Sequence, residues 1–253
     1  MKAIKNNPIF RFCYVLWYVP VFVGLTIVTA VVCLVASLFS TRAARYITNK
    51  VWGHIVLDPA AIRLVTTGRE NLPGRDDDGP DGTGGFIVYA NHTSLTDIPT
   101  ISLAVGRPVS FVAKASLGKI PFFGWAMVKA HMLVNREGGA EAAKQMVAEA
   151  SERIKRGEIL VIFPEGTRNK TDEPLLPFKK GTFILAKHTQ APIVPIAIKN
   201  ARQIWPSGKF WPRPGTIRIK VGAPLELKPG ENLNSLTARA QSALADMLTD
   251  ESW

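Results

Sequence analysis

FIVYANHTSLTD, residues 86–97, and LVIFPEGTR, residues 160–168, each run from an apolar, β-branched stretch straight into a polar turn. In the first, a short strand over 86–90 delivers Asn91 and His92, and Ser94 followed three residues later by Asp97 is a capping-box-like helix start. His92 and Asp97 are five residues apart; on one continuous helix they would point about 140° away from each other. They meet only if His92 sits on the strand-to-helix turn and Asp97 lies in the first helical turn. The region beyond a strand's C-terminal end is also where α/β folds place their chemistry. Read functionally, His92 is a general base and Asp97 fixes its tautomer and stabilises the imidazolium. The plainer reading makes Asp97 a helix cap and His92 a turn residue.

The second stretch ends in Gly166, Thr167 and Arg168, with Lys170, Lys179 and Lys180 close behind. Arginine can form paired hydrogen bonds to phosphate oxygens, and backbone N–H groups of such a turn add more. Taken alone, it could equally be an ordinary turn salt bridge. Two polar motifs at two strand ends converge on one side of a sheet, which favours a site.

Outward from these stretches, strand-like runs fall at 62–67, 109–113, 193–198 and 216–221, with helix-like segments between several of them. Over 138–155, Ala143, Met146, Val147, Ala150 and Ile154 recur at helical spacing. The alternation predicts an α/β domain, a largely parallel or mixed sheet flanked by helices. A C-terminal helix is expected from an N-cap at Ser235 to Leu248. Residues 73–85, with five glycines, two prolines and four aspartates, read as a surface loop. The Asp76, Asp77, Asp78 run lacks the alternating spacing of a calcium loop.

Before this domain lie 30 consecutive uncharged, mostly apolar residues, 12–41. That is longer than a signal-peptide core and long enough to be membrane-embedded. As one helix the stretch would measure about 45 Å against a hydrocarbon core of about 30 Å, and a straight span would need a tilt of about 40°. Pro20 and Gly24 offer a break. Lys2, Lys5 and Arg11 precede the stretch and Arg42, Arg45 and Lys50 follow it. Basic residues prefer the cytoplasmic side, and a hairpin dipping into one leaflet places both flanks there whereas a single span cannot. Residues 1–50, as a hairpin or as a single helix, are therefore expected to anchor a domain of residues 51–253 to the cell membrane, its site on the cytoplasmic face.

Lys and Arg number 31 against 20 Asp and Glu, a formal charge of +11, which implies an anionic partner: phosphorylated substrate, anionic membrane or nucleic acid. No nucleic-acid fold signature is present. Trp205, Lys209, Phe210, Trp211 and Arg213 form a basic-aromatic stretch suited to lipid headgroups, or simply a packed loop. Both cysteines, Cys13 and Cys33, lie in the apolar stretch, which excludes a cysteine nucleophile or zinc ribbon in the domain. The four histidines show no metal-ligand spacing, so no metal is expected. Ser94 and Thr96 lie outside any GxSxG elbow, which disfavours an acyl-enzyme.

The pair NHTSLTD (91–97) and FPEGTR (163–168) resembles the glycerolipid acyltransferases, specifically the 1-acyl-sn-glycerol-3-phosphate acyltransferase family with its NHx4D and FPEGTR motifs. FVAK (111–114), KIPFFG (119–124) and VNR (134–136) look like that family's second block, and VPIAI (194–198) like its fourth, so the resemblance covers residues 62–222. It implies acyl transfer from a thioester, of coenzyme A or acyl carrier protein, to the sn-2 hydroxyl of lysophosphatidate, forming phosphatidate with no bound cofactor. It also implies His92 as base and Asp97 as its partner. Arg168, Lys114 and Arg136 would hold the anionic end of the acceptor, Glu165 would contact a glycerol hydroxyl, and Gly166 and Thr167 would shape the turn. The family often carries Gly where Ala130 stands and Asp where Asn135 stands, departures that bear on packing or acceptor preference. His131, His54 and His188 read as structural. Related acceptors (glycerol 3-phosphate or another lyso-lipid), a non-catalytic lipid-binding protein, and a hydrolase are the alternatives.

Overall fold

The computed structural model describes residues 8–74, 85–135, 139–209 and 211–253. Arg136, Phe210 and the aspartate run 76–78 lie outside the described residues. Seven strands form one sheet: β1 (Ile62–Thr67), β2 (Ile87–Ala90), β3 (Val109–Lys114), β4 (Met132–Val134), β5 (Ile159–Ile162), β6 (Ile193–Lys199) and β7 (Gly215–Val221). Their order across the sheet is β1-β7-β6-β2-β5-β3-β4. The run β6-β2-β5-β3-β4 is parallel, and β7 joins β6 antiparallel while pairing β1 in parallel. The sheet is thus mixed at one edge and parallel through its centre, as the alternation of strands and helices predicts. The three-residue edge strand β4 carries too short a pattern to show itself.

β2 is central, and all four of its side chains are buried. Val88 and Ala90 face one side with Ile101, Ala104 and Val56, while Ile87 and Tyr89 face the other with Ala150, Ile154, Phe183 and Ala240. Burial on both faces is why the strand reads as a continuous apolar run with no polar alternation.

The N-terminal helix α1 (Pro8–Ser37) is long and apolar enough to cross a membrane. It does not break at Pro20 or Gly24; the helix continues through both. The chain reverses instead after Ser37, where Ser40 accepts from Ala43 N–H and caps α2 (Thr41–Tyr46). A π turn (Ile47–Val51) and α3 (Trp52–Leu57) follow. Four contacts show that the second arm runs back along the first. Cys33 Sγ meets Ala44 O, Trp52 Nε1 donates to Thr26 Oγ1, Tyr18 OH donates to Val56 O, and Tyr14 OH donates to Ala60 O. The apolar stretch is thus one arm of a helical hairpin, not a hairpin in itself, and the return arm is the charged segment that follows it. Arg45 is correspondingly not a free flanking cation. Its guanidinium makes a two-point, largely buried pair with Glu158, at 2.8 and 2.9 Å.

Outward, α1 leaves Phe12, Leu16, Trp17, Val23, Val28, Val32 and Val35 exposed, and the turn adds Leu38 and Phe39. Near it, α5 (Phe123–Ala130) packs on α1 and exposes Trp125 and Val128. The remaining helices are α4 (Asp97–Val105), α6 (Gly139–Lys155), α7 (Gly181–Thr189), the single turn α8 (Ala201–Ile204) and α9 (Leu233–Thr249). The N-cap of α9 is Asn232, not Ser235: Asn232 is extended, and its side chain accepts from Ser235 N–H, so the helix starts earlier than expected.

Candidate active site

Parallel neighbours β2, β5 and β3 end on the same edge of the sheet. In register, Tyr89 lies beside Ile162 and Phe111 beside Val161. His92 and Glu165 each follow three residues after one paired position, and Lys114 falls one residue short of their level, so topology gathers the three at one edge.

Asn91 first extends the sheet. Its side chain donates to Ile198 O at 3.0 Å and accepts from Ile198 N–H at 2.8 Å, copying the pattern of a strand residue while the chain turns away. His92 Nδ1 then lies 2.8 Å from Asp97 Oδ2. The same oxygen accepts from Thr93 N–H at 2.6 Å and Ser94 N–H at 2.8 Å. Asp97 therefore caps the turn and orients the imidazole with one atom, so the two readings of this motif are compatible. Only half of the capping box forms: Asp97 reaches back to Ser94 N–H, while Ser94 Oγ accepts from Thr96 N–H and donates to Trp205 O. With Nδ1 donating to Asp97, Nε2 keeps its lone pair. The ring stacks on Phe163, with centroids 4.0 Å apart. Ser94 and Thr96 are fully buried and bonded to each other, which leaves neither hydroxyl free as a nucleophile.

The FPEGTR turn is fastened to this loop. Glu165 is 2 % exposed and accepts from His92 N–H at 2.7 Å with Oε1 and from Leu176 N–H at 2.8 Å with Oε2. Asn169 N–H donates to His92 O at 2.6 Å. The His92 peptide is thus held on both sides by the second motif. Burial pushes the Glu165 carboxyl up to about 7, against the pull of its two backbone donors, and the nearby Asp97 charge adds to the rise. Both oxygens are engaged inside the protein, so the first effect of Glu165 is on loop shape. Gly166 turns the chain with φ at +72°, a left-handed conformation that disfavours side chains.

Arg168 is half-buried, and its Nε, shielded from solvent, has no hydrogen-bond partner among the described residues. Thr167 and Lys114 are exposed on the same edge. Beside the site lies a cavity of about 400 Å³ between the hairpin and the domain. Leu95 and Arg168, from the two motifs, line it together with Phe22, Trp52 and Trp205. Trp205 is buried, with its ring against Tyr18 and Phe22, so this residue of the basic-aromatic stretch belongs to the core and not to a headgroup surface. Lys209 and Arg213 remain exposed. His54 makes an exposed pair with Asp58 at 3.1 Å, and His188 is exposed on α7.

A sequence model of the acyltransferase family matches residues 63–199, more than half of the chain. The chain belongs to the acyltransferase family. It is similar to a 1-acyl-sn-glycerol-3-phosphate acyltransferase of Chlamydomonas reinhardtii, 32 % identical over 213 residues, which are 83 % of this chain and 60 % of that protein. A 1-acyl-sn-glycerol-3-phosphate acyltransferase of Pseudomonas aeruginosa is 30 % identical over 195 residues, 76 % of this chain and 71 % of that one. The crystal structure of the 1-acyl-sn-glycerophosphate (LPA) acyltransferase PlsC from Thermotoga maritima superposes with a TM-score of 0.79 at 26 % identity. That match covers 100 % of this chain and 99 % of the other, so hairpin and domain are both shared. Against several of the curated relatives it matches, this acyltransferase-family chain spans about 60 % of their length.

Roles for Asn91, Asn169, Phe163 and Trp205 were not legible from spacing. The first three stand in or beside the motifs; Trp205 carried no signal for its place.

Proposed function

We propose that this protein transfers a fatty acyl group from an acyl thioester to the sn-2 hydroxyl of 1-acyl-glycerol-3-phosphate, forming phosphatidate. The observation that carries the reading is the His92–Asp97 dyad in the same motif as Leu95, which with Arg168 of the second motif lines a largely apolar cavity. Nε2 of His92 takes the proton from the acceptor hydroxyl as its oxygen bonds to the thioester carbonyl carbon. The carbon–sulfur bond then breaks, and the imidazolium returns the proton to the leaving thiolate. General-base help of this kind is worth about 10²–10⁴ in rate. Asp97 holds the ring and balances its positive charge.

Arg168 binds the acceptor phosphate, joined by Lys114 and Arg136. Glu165, Gly166 and Thr167 shape the loop against which the glycerol backbone lies. The cavity lodges an acyl chain, since its wall is built from Phe22, Trp52, Val56, Leu95, Ile98 and Met127. The thioester, of coenzyme A or acyl carrier protein, is a substrate, and no resident cofactor enters the scheme. The hairpin lies in the cell membrane with Leu38, Phe39, Trp125 and Val128 among the hydrocarbon, the site on the cytoplasmic face.

The test is product analysis with labelled acyl-coenzyme A or acyl carrier protein and lysophosphatidate. Phosphatidate formed by the native protein and lost in His92→Ala supports the reading. Free fatty acid as sole product makes the protein a hydrolase. No turnover with any lyso-lipid acceptor leaves a lipid-binding protein.

A further inference from the structure

The cavity wall is largely apolar, and its polar side chains are few. Arg168 is one, and Thr26, whose oxygen accepts from Trp52 Nε1, is another. The rest are His131, at the end of α5, Thr29 of α1 and Thr48 of the π turn. His131 is 4 % exposed. Its Nδ1 accepts from Phe111 N–H at 3.4 Å, so the neutral ring carries its proton on Nε2, for which no acceptor exists among the described residues. Burial, with the Arg45 and Arg153 charges behind it, drops the ring's pKa to about 3, so the ring remains a neutral single donor. The two threonines spend their hydroxyl protons on helix carbonyls, Thr29 on Leu25 O and Thr48 on Ala44 O and Arg45 O. Their oxygens keep lone pairs to offer.

One donor and two acceptors in a largely apolar wall complement a hydroxyl, which takes one hydrogen bond and gives another. The location is also defined. Phe22 packs on Trp205, whose carbonyl is bonded to Ser94 beside the dyad. Thr29 lies seven residues further along α1, about 10 Å down the helix. A group met there sits well along a lodged chain and far from its carbonyl end.

We propose that His131, Thr29 and Thr48 form a subsite for a hydroxyl carried mid-chain on a lipid acyl group, so that the cavity selects hydroxylated chains over plain ones. The proposal rests on the acyl-chain reading of the cavity given above. An imidazole N–H left bare against a hydrocarbon chain and satisfied by a hydroxylated one favours the latter about tenfold.

The experiment compares ricinoleoyl- with oleoyl-coenzyme A as donors, and the corresponding 1-ricinoleoyl and 1-oleoyl lysophosphatidates as acceptors. It uses the native protein, Thr48→Val, Thr29→Val and His131→Phe. In parallel, ricinoleic and oleic acid are titrated against the intrinsic tryptophan fluorescence, since Trp52 and Trp205 line the cavity. The expected result is a ricinoleoyl preference in the native protein that falls about tenfold in kcat/KM ratio in the near-isosteric Thr48→Val and in His131→Phe, with oleoyl use retained. The arm in which the preference appears, donor or acceptor, identifies which chain lies in the cavity. Turnover without discrimination, and equal binding of the two acids, would mean that the polar spot holds only water; the subsite then falls and the acyltransferase reading stands. No turnover, but ricinoleic acid bound more tightly and released by Thr48→Val, keeps the subsite and removes the acyltransferase reading. No turnover with equal binding removes both.

Discussion

Oδ2 of Asp97 lies 2.8 Å from Nδ1 of His92 and also takes the N–H groups of Thr93 and Ser94. One oxygen therefore sets both the path of the backbone and the tautomer of the imidazole. Asp97→Asn turns an acceptor into a mixed amide, so either the ring or the turn loses its partner. In the proposed acyl-transfer reaction, kcat is expected to fall about 10²–10⁴-fold with KM for the acceptor little changed. Steady-state kinetics with circular dichroism as a folding control checks this; a variant with native kcat would dissociate Asp97 from the base.

Glu165 bonds the His92 peptide and the Leu176 peptide at once. Its carboxyl is pushed up to about 7 from 4.5, so around pH 5–7 the folded protein holds a proton that the unfolded chain has released. The stability contributed by this group is complete below about 4.5 and is lost as pH rises to about 7. Denaturant midpoints of the native protein should fall across that window relative to those of Glu165→Gln, which carries no titrating group there. Parallel curves for the two proteins would contradict the assignment.

Arg168 brings the one guanidinium whose Nε is buried without a partner among the described residues. Arg168→Ala is expected to raise KM for lysophosphatidate by about 10–100-fold, the worth of one or two charge-assisted hydrogen bonds. Turnover of a neutral monoacylglycerol acceptor should change far less. An equal loss on both acceptors would show that Arg168 shapes the loop and does not read phosphate.

Arg45 joins the hairpin to the domain through Glu158, both side chains largely shielded. Arg45→Met leaves that carboxylate with Arg153 at 3.4 Å as its remaining ion-pair partner. A loss of about 3 kcal/mol in unfolding free energy is expected, largely recovered when Glu158→Met is added. Chemical denaturation of the two variants decides the matter, and a double variant no better than the single one would argue against the pairing.

At the hairpin turn, Leu38 and Phe39 are the most exposed large apolar residues among those described, at 78 % and 86 %. The pair Leu38→Ser and Phe39→Ser is expected to weaken binding to phospholipid vesicles about tenfold or more in co-flotation, with the soluble-fraction fold intact. Unchanged flotation would argue against a membrane contact at this turn.

Much of this protein was legible along the chain because its elements are local. The apolar runs that became β1, β2, β3, β5, β6 and β7 needed only β-branched composition and flanking turns. Ser94 and Asp97 announced the helix start, and 30 uncharged residues announced a long apolar helix. The pairing of His92 with Asp97 followed from one short-range condition, that a turn and not a helix lie between them.

What tertiary structure decided depends on contacts between residues far apart in sequence. Parallel pairing of β2, β5 and β3 brought His92, Glu165 and Lys114 to one edge. The use of Glu165 as a brace required Leu176 and the His92 peptide to arrive together. The hairpin turn moved from Pro20 to the segment around Leu38 because the return arm is held by the domain: Arg45 by Glu158, and Val56 and Leu57 by the sheet core. Trp205 went inward for the same reason, since Tyr18 and Phe22 supply its apolar surroundings. Periodicity records which face of an element is apolar; only the assembled chain determines what covers that face.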